Sequence, residues 1–360
     1  MAEPAAPPRE GGHRLLEVDA LRGVAAMAVV LFHLTTRFNE LYLPSQPPSW
    51  QATHGHLGVN LFFIISGFVI FMTLDRTRRP MDFVVSRFSR LFPAYWCAIA
   101  LTFTLTHWMG LPGKSVPLWA ALANTLMLHG FFFVPHVDGV YWTLEVELLF
   151  YFGMFMLYRS GRLHRVLEAM LLLLGLRLVY VLLDRAFGVE LSWTLSRLLI
   201  LKYIPWFALG IAIYGLVHPS PRHTVRRCLW QVAAALLTLF IADSPFMAGL
   251  AVVLGLLVYG AASGRLPWLR HPVLVWFGSI SYPLYLLHEN IGWSIELQGI
   301  AHGLSTDVSA VVAAVVAVLL AAALHVTVER PAMDWIRARY RRRLEHRAAR
   351  ADSHAPTELR

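Results

Sequence analysis

Apolar residues form long runs that are separated by short polar connections along almost the whole chain. About 20 consecutive apolar residues are enough to cross the hydrocarbon core of a bilayer. Ten runs reach or approach that length, at about 16–37, 57–74, 84–106, 142–158, 165–183, 196–217, 229–243, 246–262, 274–298 and 308–330. The pattern predicts an all-α integral membrane protein, a bundle of about ten transmembrane helices.

An eleventh apolar run, at about 118–133, is shorter, and the charges of the connections decide how to interpret it. Clusters of arginine follow several runs, and such clusters stay on the cytoplasmic side of a membrane. They are Arg76/Arg78/Arg79, Arg159/Arg162/Arg165, Arg222/Arg226/Arg227 and Arg265/Arg270. A full crossing at 118–133 would move the Arg159 cluster outside. We therefore predict one re-entrant or interfacial segment there, and a multi-pass protein of the cell (inner) membrane with both termini in the cytoplasm.

Composition agrees with this organisation, because 57% of the 360 residues are hydrophobic and only 15% are charged. We expect a cytoplasmic N-terminal lead at 1–15, a transmembrane domain at 16–331 and a basic cytoplasmic tail at 332–360. The net charge of +9 comes from arginines in the connections and the tail. Membrane lipids, not nucleic acid, are therefore the expected partners of this charge.

The first run carries an ordered set of polar residues on one helix. Arg22 and His33 are eleven positions apart, which is about 16 Å along an α-helix, and Asp19 lies one turn before Arg22. Polar residues inside a span are costly and usually functional. Asp19 and Arg22 could form a structural ion pair, or an arriving anion could compete for Arg22. On this pattern alone a transporter, an ion pair and an enzyme remain equally open.

Further candidates lie in other runs. Arg87 and Arg90 are three positions apart, so a helix presents both on one side, and paired guanidinium groups suit phosphate oxygens. Glu147 is a carboxylate inside an apolar run, and Ser66 lies beside a glycine where helices can approach closely. No spacing typical of a metal site occurs, so we predict no metal.

Six segments in order resemble the membrane-bound acyltransferase 3 family, which includes O-acetyltransferases that decorate bacterial surface polysaccharides. They are Glu17–Gly23 with His33, Gly58–Phe68, Arg87–Trp96, Tyr141–Glu147, Ser281–His288 and Glu329–Pro331. The resemblance covers nearly the whole chain. It departs from the family pattern at Asn60, where aspartate is common, at Thr143, where serine is usual, and at Leu148, where a second glutamate is common.

The resemblance implies a role for each candidate. His33 is the catalytic base, Asp19 the partner of Arg22, and Glu147 a carboxylate that orients His33 or binds a sugar hydroxyl. Arg22, Arg87 and Arg90 bind the acyl donor. Trp142, Ser66 and His288 belong to the acceptor side.

The implied reaction moves an acyl group, expected to be acetyl, from cytoplasmic acyl-CoA to a hydroxyl of a carbohydrate-containing acceptor. Acyl-CoA is then a co-substrate, and no cofactor is bound permanently. Two alternatives remain: acyl transfer through an acylated His33, and a carrier or exporter of lipid-linked glycans without acyl chemistry. A scaffold without chemistry would make substitutions of Arg22 and His33 silent.

Overall fold

The computed structural model of the protein describes residues 15–188 and 192–353, and within these ranges every regular element is helical. The α-helices there are α1 Leu16–Leu31, α2 Phe38–Tyr42, α3 Gly58–Arg76, α4 Pro80–Met109, α5 Leu118–Asn124, α6 Trp142–Arg159, α7 Val166–Phe187, α8 Trp193–Leu198, α9 Ile204–Val217, α10 Val225–Ala242, α11 Pro245–Ala262, α12 Pro272–Leu287, α13 Glu289–Ala301, α14 Thr306–Leu324 and α15 Arg330–Ser353.

Eight helical stretches in the described residues are long and apolar enough to cross a membrane. They are Leu16–Tyr42, Gly55–Arg76, Pro80–Met109, Gly139–Arg159, Leu163–Phe187, Val225–Ala242, Pro245–Ala262 and Thr306–Arg347. The apolar helices α9 and α12 are shorter, at 14 and 16 residues. The predicted all-α membrane class is thus confirmed, whereas the predicted count of about ten depends on these two shorter helices.

Three predicted apolar runs are interrupted, and in the one at 196–217 turns at 199–203 separate α8 from α9. The run at 118–133 contains the seven-residue helix α5 followed by turns, so it forms no helix long enough to cross. Its placement in the membrane or at its surface stays a prediction. The run at 274–298 divides at His288, where α12 ends and α13 begins.

Helices α1 and α2 are continuous through a π-helical stretch, Phe32–Arg37, which contains His33. Single π turns inside α-helices are often found at functional sites. Here the Trp293 indole nitrogen donates a 2.8 Å hydrogen bond to the His33 carbonyl oxygen. This bond attaches the π turn to α13.

Glycines let α1 and α12 approach backbone to backbone. A Cβ atom added to Gly23 would lie 2.6 Å from the main-chain nitrogen of Gly278, closer than real Cβ atoms come. A side chain at Gly23 would therefore push the helices apart. The contact holds Arg22 of α1, and His33 in the π turn that follows it, in a fixed position relative to α12 and to His288 at its end.

The two ends of the bundle differ in charge. At one end, which we call the arginine end, lie Arg87 and Arg90 near the start of α4, and α15 packs against them. Arg270 also forms a 2.6 Å ion pair with Glu17 at the start of α1. The opposite end contains His33 and is called the His33 end.

Candidate active site

A large cavity opens at the His33 end. Its volume is about 820 Å³, and its walls include His33, Trp142, Glu289 and Trp293. These residues come from the first helical stretch, α6 and α13. Trp142, predicted on the acceptor side, thus lies in the same cavity as His33.

The contacts of His33 indicate which ring nitrogen holds its proton. Nδ1 lies 2.9 Å from the Val29 carbonyl oxygen, which can only accept a hydrogen bond. Nδ1 also lies 3.2 Å from Nε2 of His288, whose own Nδ1 faces the carbonyls of Leu284 and Tyr285. In the neutral rings both Nδ1 atoms therefore donate, and His33 Nε2 keeps a free lone pair.

Glu289 faces that lone pair, with Oε2 3.4 Å from His33 Nε2. Both side chains are largely buried, with exposed fractions of 15% for His33 and 6% for Glu289. A carboxylate there stabilises a proton on Nε2. Glu289 follows His288 directly in sequence, but its contact with His33 depends on packing between helices, so the sequence pattern does not single it out.

His288 is fully buried and contacts His33 through its Nε2. Its ring packs edge-on against that of His33, with centroids 5.0 Å apart. The structure therefore places His288 behind the candidate base. Its predicted role beside the acceptor stays a prediction.

A second, small cavity, which we call the passage, lies beside the large one. Its volume is about 40 Å³, and its walls include Arg22, Ser66 and Glu147. Val59 and Tyr285 line both cavities, so the two cavities are neighbours.

Glu147 accepts hydrogen bonds from Ser66 and Tyr151 in this passage. Asp19 and Glu147 are the carboxylates whose charges act on Arg22. Ser66 and Glu147 thus lie with Arg22, and the structure does not bring them to the Trp142 side of the large cavity.

Four arginines gather where the passage approaches the arginine end. Arg87 and Arg90 of α4 act electrostatically on each other and on Arg337 of α15, and Arg90 also acts on Arg22. The Nε atoms of Arg22 and Arg87 are buried without a hydrogen-bond partner in the described residues. A buried donor without a partner is unfavourable, so the cluster suits an arriving oxyanion.

Arg337 was not predicted, because the sequence pattern assigns it only to a basic tail. Its Nε donates a 3.2 Å hydrogen bond to the Ser89 hydroxyl. Ser89 lies between Arg87 and Arg90 in sequence, so the contact brings a third guanidinium to this pair. The tail contains many arginines, and nothing in the sequence distinguishes Arg337 from the others.

A separate polar cluster lies under the connection between α5 and α6. His129 Nε2 lies 2.6 Å from His136 Nδ1, and Glu145 bonds to Arg197 and to the Gly130 main-chain nitrogen. Ligand atoms of the two histidines and Glu145 lie within 4.8 Å of one another, an arrangement that the sequence pattern did not predict. The Arg197 guanidinium already balances the Glu145 charge at this position.

Acidification is expected to weaken this cluster. Burial, with Arg197 nearby, lowers the pKa of His136 to about 4, and burial with His136 and Arg197 lowers the pKa of His129 to about 3. A lowered histidine pKa gives stability that is present above pH 6.5 and is lost as the pH falls towards 4. Between pH 7 and pH 5 the protein should lose about 1 kcal/mol more unfolding free energy than the His136→Gln variant.

Thermal unfolding in detergent at both pH values measures this difference. Burial raises the pKa of Asp138 to about 6, which acts in the opposite direction, but this effect is common to both proteins. His302→Gln, at an exposed histidine, is the control. An equal pH dependence in the wild type and His136→Gln would contradict the expectation.

Comparisons with known proteins place the chain among acyltransferases. A family model described as an acyltransferase domain matches residues 15–327. The chain is 29% identical over 323 residues to the exopolysaccharide production protein ExoZ of Rhizobium meliloti (strain 1021), covering 83% of this chain and 96% of that protein. It is 30% identical over 172 residues to nodulation protein 10 of Rhizobium leguminosarum bv. viciae, covering 42% and 46%. No solved structure matches.

Proposed function

The chain belongs to the membrane-bound acyltransferase 3 family, and from this premise we propose that it transfers an acetyl group from acetyl-CoA to a hydroxyl of a polysaccharide or its precursor. Family membership makes the protein an acyltransferase, other than an aminoacyl transferase. The similarity to an exopolysaccharide production protein supports a carbohydrate acceptor. The single observation that carries the proposal is the order of the polar groups: the arginine cluster lies at one end, Arg22 and Glu147 line the small cavity, and His33 lines the neighbouring large cavity.

In the proposed donor complex, the CoA phosphates bind Arg87, Arg90 and Arg337 at the arginine end, which faces the cytoplasm. The arm of the donor then extends past Arg22 towards His33, and eleven positions of an ideal α-helix span about 16 Å, which is comparable with an extended pantetheine arm. The passage now holds about 40 Å³, so its walls must move apart to admit the arm. Ser66 and Glu147 line the route.

In the proposed reaction, the acceptor hydroxyl lies in the large cavity and gives its proton to His33 Nε2. Its oxygen attacks the thioester carbonyl carbon, the carbon–sulfur bond breaks, and the CoA thiolate leaves with the proton from the imidazolium. Glu289 stabilises that imidazolium. An acylated His33 is the alternative route, and ping-pong kinetics would distinguish it from a ternary complex.

Family membership argues against a carrier of lipid-linked glycans without acyl chemistry, because the matching model describes an acyltransferase domain over residues 15–327.

Mass spectrometry of surface glycans and small glycosides from cells with and without the gene tests this function. We expect masses that differ by one acetyl group, with the modified glycan present only when the gene is intact. Identical glycan and glycoside masses in the two strains would contradict the proposal.

A substitution at Glu289 tests the proposed proton path. Glu289→Gln keeps the size of the side chain but replaces the carboxyl group 3.4 Å from His33 Nε2 with an amide that cannot exchange a proton, so kcat should fall by about 10- to 100-fold with little change in the KM for acetyl-CoA. Glu296→Gln, at another buried glutamate of α13, is the matched control and should retain activity. Equal kcat values for the two variants would show that Glu289 does not assist His33 in catalysis.

A further inference from the structure

The only two lysines in the sequence, Lys114 and Lys202, both line the large cavity. All other basic side chains apart from the histidines are arginines, most of them in the connections and the tail. Lys114 precedes α5 and Lys202 precedes α9, so two distant parts of the chain bring the lysines to one site.

The main chain at Lys202 is held firmly. The buried Arg177 of α7 donates hydrogen bonds to the carbonyl oxygens of Leu201, at 3.3 Å, and of Lys202. Ile200, two residues earlier, has a positive φ of 46°, a conformation that a non-glycine residue adopts only when its surroundings impose it. The surrounding structure therefore fixes the conformation of the turn that contains Lys202.

Arg177 also neutralises one of the two carboxylates that line the cavity. It forms a 2.5 Å ion pair with Asp243, which lines the cavity. The other lining carboxylate, Glu289, has Lys114 4.0 Å away. Lys202 lines the cavity and is exposed, and within the described residues no ion pair joins it to a carboxylate, so its ammonium group is available to a ligand.

Aromatic side chains complete the site. Trp142 and Tyr203 lie with ring centroids 5.4 Å apart, and Trp206 and Trp293 line other parts of the wall. Flat apolar rings of this kind pack against the C–H faces of sugars. The cavity thus combines surfaces for a sugar with a fixed cation.

We propose that the acceptor is an acidic saccharide, with a carboxylate or phosphate oxyanion that Lys202 binds while Lys114 assists. This inference rests on the proposed function for the acceptor hydroxyl, but the oxyanion site itself does not need turnover. A lysine contacts either oxyanion as a point charge, so the shared chemistry is a saccharide with a negative group.

The test compares methyl β-glucoside, methyl β-glucuronide and glucose 1-phosphate as acceptors of labelled acetyl from acetyl-CoA, using the purified full chain. We expect a higher kcat/KM for one of the two anionic sugars, and the preferred one identifies carboxylate or phosphate. In Lys202→Gln the ratio of anionic to neutral kcat/KM should fall about tenfold or more. Lys202→Arg should keep most of this preference for the anionic sugar. Arg185→Gln, at an exposed arginine outside the cavity, should not change the preference.

A binding measurement separates this inference from the proposed function. Each sugar is added to the purified protein, and the rise in unfolding temperature is recorded without acetyl-CoA. Anion-selective stabilisation that Lys202→Gln abolishes would support the oxyanion site even if no acetyl is transferred. Transfer without charge preference and without selective stabilisation would overturn the inference and leave the function standing. Absence of both transfer and stabilisation would contradict both.

Discussion

Replacement of His33 by alanine is expected to lower kcat for acetyl transfer by about 10³-fold, within the range for loss of a general base. The reason is that Nε2 has the free lone pair in the large cavity, since Nδ1 donates to the Val29 carbonyl oxygen. Alanine leaves no group that can accept the proton of the acceptor hydroxyl. The measurement is the initial rate of label transfer from acetyl-CoA by purified protein at saturating substrates.

His107→Ala is the matched control. The Nδ1 atom of His107 contacts the carbonyl four residues earlier, at 2.8 Å, as that of His33 does, but its side chain is exposed at the end of α4. Loss of the ring there should leave kcat unchanged. If the His33→Ala protein were correctly folded and retained the parental rate, His33 would not be the base.

Combined replacement of Arg87 and Arg90 by glutamine is expected to raise the KM for acetyl-CoA by about 10²-fold or more. Each guanidinium can form charge-assisted hydrogen bonds to phosphate oxygens, and each such bond is worth about 1.5–3 kcal/mol. The buried Arg87 Nε has no partner in the described residues, so an anion gives it one. Donor saturation curves measure the effect.

A donor without the nucleotide phosphates provides the decisive control. With S-acetylpantetheine, wild type and the double variant should have similar KM values, because this donor carries no phosphate group for either protein to bind. Arg78→Gln, at an exposed arginine of the same end, should behave as wild type. An equal increase in KM for both donors would mean that Arg87 and Arg90 stabilise the fold and do not bind phosphate.

Local features of the site could be predicted from sequence. The spacing of Arg22 and His33 fixes them on one helix, and the pair Arg87 and Arg90 shares one side of another, because a helical repeat determines both. The all-α membrane class follows from the length of the apolar runs alone. The π turn at His33 has no comparable signal, since its first residues continue the apolar run of the helix before it.

Features that depend on packing between helices could not be predicted. His33 meets His288 across 255 positions, and Ser66 meets Glu147 across 81. Glu289 lies 3.4 Å from His33 across 256 positions, a contact that the run at 274–298 does not indicate. Lys202 reaches the cavity because Arg177 holds its turn, a contact across 25 positions.

The central claim is that the acetyl group passes within the protein from the arginine end to His33. Sealed vesicles containing the purified protein, with labelled acetyl-CoA outside and the glycan acceptor inside, test it most directly. We predict that label reaches the enclosed acceptor in proportion to the fraction of molecules whose basic tail is accessible to protease from outside, and that His33→Ala abolishes it. Label on an acceptor supplied only on the same side as acetyl-CoA, with none on the enclosed one, would contradict the claim.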